Sequence, residues 1–235
     1  MAVYDLEEQE QLDELKTWWK LHGNLVTAVV VAVAAAALAW QGWNWWQRQQ
    51  TAEASALYMG VQQAAARNDA KRARELAGEL IDKYSLTAYA GMAAMLSGRA
   101  QFDAGDIKTA KAQLQWAAEN AKDEALRDLA RLRLATVLLD EKAYDEAMKQ
   151  LAAEPAAASF APRFSEARGD VLVAQGKPAE AKAAYEAALA RLAQKVGVTE
   201  GNPRGTGGTA ARQQAPYKDM LQAKLDALGT TGGAK

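Results

Sequence analysis

The sequence has 235 residues, half of them apolar and 24% charged, a balance that can bury a core and that excludes a disordered chain. The net charge of −1 comes without any basic stripe, which excludes nucleic acid as a partner on electrostatic grounds. Cysteine is absent, so disulfides, thiol catalysis and thiolate metal sites are excluded as well.

In chain order, the first feature is an acidic tail over residues 1–23. Asp5, Glu7, Glu8, Glu10, Asp13 and Glu14 stand against Lys16 and Lys20, a net −4 that leaves +3 for the remainder. Between Gly23 and Gln47 no side chain is charged, and LVTAVVVAVAAAALAW from Leu25 to Trp40 is almost wholly apolar. Carried to Trp46, the stretch has about 22 residues, roughly 33 Å of helix, enough to cross a hydrocarbon core of about 30 Å. A transmembrane helix over 24–46 is therefore expected, with the lipid bilayer as a partner. Trp18 and Trp19 at one end and Trp40, Trp43, Trp45 and Trp46 at the other suit the two water interfaces, where an indole keeps one edge wet. A cleaved signal peptide is the rival reading, since Ala37-Leu38-Ala39 resembles a small-residue cleavage site. The long, net-negative tail in front of it argues for an uncleaved anchor. Lys16 and Lys20 precede the span closely and only Arg48 follows it closely, which favours a cytoplasmic N-terminus by one charge. Ala28, Ala32 and Ala36 recur at four-residue spacing, either a seam for a partner helix or simply an alanine-rich helix.

From Thr51 to about Val196 the chain reads as helix throughout, its three prolines, Pro155, Pro162 and Pro178, falling at plausible helix boundaries. One pattern recurs: a Gly-Asp, Gly-Lys or Asn-Asp turn, an alanine shortly after, a large apolar residue or further alanine four later, then a small residue. GDIKTAKAQLQWA gives Gly105, Ala110, Leu114 and Ala117; GKPAEAKAAYEAA gives Gly176, Ala181, Tyr185 and Ala188. Tyr144, Ala147 and Leu151 form an intermediate copy, and Ala73 and Ala77 after Asn68-Asp69 a weaker one. The alanine anchors 73, 110, 147 and 181 are spaced by 34 to 37 residues, the period of tetratricopeptide repeats, which the pattern resembles. Small residues let paired helices approach, the next large residue fills the groove, and glycine permits the turn. Gly98 and Gly169 match the small position where the first helix packs on the second. The fold class is all-α, an N-terminal transmembrane helix followed by a tetratricopeptide-like helix-pair solenoid over 47–197.

GVTEGNPRGTGGT then reads as a Gly-rich linker, 198–210. An amphipathic helix over 211–228 follows, with Tyr217, Leu221, Leu225 and Leu228 on one face, and 229–235 is expected to be a disordered tail. The helix either caps the apolar end of the solenoid or plugs its groove.

No catalytic, cofactor-binding or metal residues emerge. His22, the sole histidine, lies at the membrane boundary, away from any folded-domain triad or metal site. GTGG at 205–208 lacks the strand and the Lys-Ser/Thr of a phosphate loop. What a solenoid offers is a concave surface made by the first helix of each pair. Its inward positions map to Tyr58 and Gln62; Met92, Met95, Arg99 and Phe102; Leu129, Leu132, Thr136 and Leu139; and Arg163, Glu166 and Asp170. This arrangement predicts an apolar middle, with Met95, Phe102, Leu132 and Leu139 exposed, and a charged rim. It lacks the paired Lys and Asn that clamp a terminal carboxylate. An apolar groove suits extended or helical partner segments, unless the last helix or a core side chain fills it.

Longer blocks carry a second resemblance. YDLEEQEQLDELKTWWKLHGN, the span ending in GWNWW, SALYMGVQQA, AKAQLQWAAENAKDEALRDLARLRLATVLLDEKAYDEAMKQL and EARGDVLVAQGKPAEAKAAYEAAL together resemble the YfgM family of Gram-negative bacteria, ancillary subunits of the SecYEG translocon. The resemblance implies an inner-membrane protein with a cytoplasmic N-terminus and a periplasmic repeat domain. It further implies association with SecYEG and with the membrane-anchored chaperone PpiD, helping exported client proteins pass to periplasmic chaperones. The Gly-rich linker is an insertion relative to that family. A scaffold or sensor for another envelope process, such as division, cytochrome assembly or stress signalling, is the alternative, because repeats encode shape and not partner identity.

Overall fold

A computed structural model describes residues 4–200 and 207–231. Among the described residues the helices are α1 (Tyr4–Ala66), α2 (Ala70–Tyr84), α3 (Ala88–Asp103), α4 (Ile107–Asn120), α5 (Glu124–Asp140), α6 (Tyr144–Leu151), α7 (Ala161–Ala174), α8 (Pro178–Glu200) and α9 (Gly207–Thr231), with one 3-10 turn at Ala158–Phe160 and no strand. The all-α expectation holds. α8 and α9 enter the stretch expected as a linker from both sides; its residues 201–206, and 232–235 of the expected tail, lie outside the described residues. Two compact units result, one ending at Ala52 and the other beginning at Glu53.

In the first unit, α1 is long and apolar enough to cross a bilayer. Val29, Val30, Val31, Val33 and Leu38 are each more than half exposed, so this helix buries none of those side chains against protein, as a membrane span leaves them to lipid. Toward its start the Trp18 ring stacks on His22, 5.5 Å between centroids. Toward its other end Trp43 and Trp46 pack at 5.3 Å.

In the second unit the later part of α1 pairs with α2, and α3/α4, α5/α6 and α7/α8 follow as further pairs. One backbone device closes the turn inside each pair. Asn68, Gly105, Lys142 and Gly176 take φ values of 56°, 83°, 62° and 74°. The amide after each donates to the carbonyl five residues back: Asp69 to Ala64 (2.9 Å), Asp106 to Gln101 (2.9 Å), Ala143 to Leu138 (2.8 Å) and Lys177 to Leu172 (2.9 Å). This left-handed C-cap satisfies orphan carbonyls and reverses the chain. Glycine adopts it without a Cβ penalty and asparagine tolerates it, whereas Lys142 holds it against its own preference. The backbone thus keeps the repeat where the sequence loses its glycine. Asp69 and Asp106 then start the following helices, their carboxylates accepting the amides of Arg72 (2.9 Å) and Thr109 (3.0 Å).

The alanine anchors Ala73, Ala110, Ala147 and Ala181 are fully buried. A Cβ on Gly98 would lie 3.2 Å from Leu114, and one on Gly169 only 2.4 Å from the Tyr185 ring. These two glycines are therefore the close-approach positions the repeat pattern requires. The regular helix breaks after Leu151, where Pro155 sits in a connection pinned at several points. Asp128, 1% exposed, accepts the Ala157 amide at 3.0 Å; Arg168 donates to the Leu151 carbonyl at 2.8 Å; and Arg191 makes a two-pronged bond to Glu154, both prongs 2.8 Å. α9 closes the unit by inserting Leu221, fully buried, among Leu172, Ala181, Tyr185, Ala188 and Leu192.

Candidate functional site

The first helices of the four pairs carry every inward position inferred from the sequence, and the structure sorts them into three regions. At the start of the solenoid, Tyr58, Gln62 and Arg99 line one cleft of about 710 Å³ between α1 and α3. Ala65, Ala66, Ala100 and Ala104 line it as well, with Leu96, Asn68 and Asp103. Arg99 faces Asp103 at 3.5 Å on the exposed rim. Tyr58 is steadied by Tyr89, ring centroids 5.6 Å apart.

Leu96, Asp103 and Asn68 were not among the sequence-derived positions, and Met95 was, wrongly placed as an exposed side chain. Met95 is 4% exposed and packs in a core cluster with Ala94, Ala117, Ala118 and Ala130. The surrounding alanines leave space that an unbranched thioether fills. The cleft stripe on α3 is 96, 99, 100 and 103, a one-step rotation of the expected 92, 95, 99 and 102. Four-residue spacing from Arg99 toward Asp103 was the signal available for it. Met92 and Phe102, at 38% and 37%, are exposed as expected but do not line the cleft.

In the middle, the expected apolar patch is largely flank of the core. Leu132 and Leu139 are half-buried against the cluster of Leu114, Leu134, Leu138, Leu151 and Phe164, and Leu129 against that of Met95 and Ala130. Their methyl groups complete helix packing, so little of them faces outward. Thr136 is exposed and turns its hydroxyl back to the Leu132 carbonyl, 3.0 Å.

At the far end, Arg163, Glu166 and Asp170 share one face of α7, and α9 lies against it. Lys224 donates to Glu166 at 2.9 Å and to both oxygens of Asp170 at 2.7 and 2.8 Å. Tyr185 donates its hydroxyl to Asp170 at 2.7 Å, and the Arg163 guanidinium lies 4.4 Å over the Tyr217 ring. Glu166, expected at an open position, is 7% exposed; α9 covers it, and the carboxylate stays buried because an ammonium is supplied to it. Burial by itself would lower the Lys224 pKa, but the bonds to Asp170 and Glu166 outweigh it and hold the ammonium above its ordinary 10.5. Burial first, then the bond to Asp170, pushes the Tyr185 hydroxyl up. Burial and the charge of Glu166 do the same to Tyr217. Among the described residues no group of three or more histidines and carboxylates has the geometry of a metal site. The chemistry available is recognition: an open cleft at one end and a filled ionic socket at the other.

A family model described as a tetratricopeptide repeat-like domain matches residues 16–203. The chain is similar to the ancillary SecYEG translocon subunit of Neisseria gonorrhoeae, 33% identical over 230 residues that cover 97% of this chain and 100% of that protein. The proteins of the same description from Haemophilus influenzae and Escherichia coli are 28% and 26% identical, covering 79% and 80% of this chain and 90% of each relative.

Proposed function

This chain belongs to the family of ancillary SecYEG translocon subunits, and from that premise we propose that it is anchored in the inner membrane beside SecYEG and binds proteins there with the concave face of its repeats. The observation that carries the reading is the pairing of one long apolar helix with a solenoid whose first helices present an open cleft. Binding, and not catalysis, is its chemistry. Its tail is cytoplasmic and its repeats periplasmic; Lys16 and Lys20 on one side of the span against Arg48 on the other support that orientation. A chain so placed meets exported segments as they leave the translocon and passes them to periplasmic chaperones, with a membrane-anchored chaperone of the PpiD kind as its neighbour.

Purification in mild detergent tests this. SecYEG components are expected to co-purify in stoichiometric amounts; recovery of division, cytochrome-assembly or stress-signalling proteins in their place contradicts it. Protease added to spheroplasts is expected to remove the repeats and spare the tail, and protected repeats would reverse the orientation.

A further inference from the structure

The strongest unassigned feature is the contact between α9 and α7. A helix that only capped the solenoid would need its apolar face, and Leu221 with half-buried Tyr217, Leu225 and Leu228 already supplies one against α8. α9 adds a lysine that reaches past α8 to the concave face of α7. There Glu166 and Asp170 stand four residues apart, on one side of a helix, where two carboxylates repel each other. Among the described residues, Arg163 also approaches them, 4.0 Å from Glu166 and largely exposed. Lys224 neutralises the pair at 2.7–2.9 Å. If α9 leaves, the socket keeps two carboxylates and the Tyr185 hydroxyl, and an apolar floor around Tyr185 and Leu172 becomes open. The surface left behind fits an amphipathic helix carrying a lysine three residues after a buried leucine, as Lys224 follows Leu221.

We propose that α9 is a displaceable occupant of the concave face, and that the partner it yields to is an amphipathic helix whose lysine takes the Lys224 position between Glu166 and Asp170. Among its described side chains α9 fully buries Leu221 alone, with Tyr217, Leu225 and Leu228 half-buried beside it, and so few buried contacts place it among the segments that open most readily. Between α8 and α9 the sequence 201–206 includes two glycines and no large apolar side chain. The proposal rests on the concave face being the binding surface, and it adds that the far end of that face is self-occupied.

Two measurements on the full chain in detergent test it. In native-state hydrogen exchange, amides at 217–228 are expected to exchange at least about 100-fold faster than those of α5, and Lys224→Glu to quicken them about tenfold more without moving α5. Exchange of α9 only together with α5 would make it an integral core helix and overturn the proposal. In the second, a labelled peptide of residues 214–231 is added to a Leu221→Asp/Lys224→Glu chain, whose own α9 no longer fits. It is expected to bind at least about tenfold more tightly than to the unaltered chain, and a peptide with Lys224→Glu to lose that gain. Equal binding to both chains, or undiminished binding of the altered peptide, overturns it. If the peptide exchanges as expected but no translocon component is recovered with the chain, the proposed function fails while this inference stands.

Discussion

The two ends of the concave face share one repeat geometry and differ in what occupies it. Between α1 and α3 the inward side chains Tyr58, Gln62 and Arg99 line an open cleft together with four alanines. Against α7 the corresponding positions are closed by α9, with Lys224 bonded to Glu166 and Asp170. The difference teaches that a solenoid's inward positions are not a site in themselves. They become one where no neighbouring element covers them, and at the last pair a helix does.

The largest expected effect comes from Gly169, one of the two glycines that set helix approach. Gly169→Ala drives a methyl into the Tyr185 ring, 2.4 Å away, and Tyr185 is held by its bond to Asp170. A loss of about 2–3 kcal/mol is expected, with a fall in Tm of about 6–9 °C on thermal unfolding followed by circular dichroism. Gly98→Ala meets Leu114 at 3.2 Å, a side chain that can turn aside, and should cost about 1 kcal/mol. Equal effects at the two positions would remove the contrast in packing between the ends.

Lys224→Ala should come next, at about 1–2 kcal/mol. The figure is discounted because Lys224 and Asp170 keep 30% and 32% of their side-chain surface in water. Its pH dependence has a definite sign. The folded-state pKa lies above 10.5, so the stabilisation is fully present below that value and is lost as pH rises through the folded pKa. Alkaline titration of the Tm should therefore separate the variant from the parent below pH 10.5 and bring them together well above it.

Acid acts on a different contact. Arg191 beside Glu154 holds that carboxyl below its ordinary 4.5, so its contribution is present above 4.5 and is lost as pH falls through the lowered value. Arg191→Gln should flatten the fall in Tm below pH 4.5, and an unchanged slope would assign acid sensitivity elsewhere. The smallest effect is expected for Phe102→Ser: 37% exposed on α3, it should shift stability by no more than about 0.5 kcal/mol. Unfolding of that variant would make Phe102 part of the core.

Much of the fold was legible because it is written in side-chain size. Ala73, Ala110, Ala147 and Ala181 marked the period, and all are fully buried; Gly98 and Gly169 marked the close contacts. Lys142 was not legible as a turn residue, since its positive φ is imposed by the repeat and not by its chemistry. The site was harder to read. A helix stripe rotated by one residue exchanges core for surface, which is how Met95 and Leu96 trade places, and the alanines of α4 and α5 that admit Met95 lie more than twenty residues away in sequence. The ionic socket was half visible: Arg163, Glu166 and Asp170 stood out as charged inward positions, while Lys224, 54 residues beyond Asp170, carries no local sign of its partner.

Photocrosslinking in intact membranes tests most directly whether the concave face is the binding surface. A photoreactive residue placed at Gln62 or Arg99, which line the open cleft, should yield crosslinks to translocon components or exported chains, and the same residue at exposed Lys71 on α2 should yield none. Crosslinks from Lys71 with silence at both cleft positions would contradict the account and move the binding surface to the second helices of the pairs.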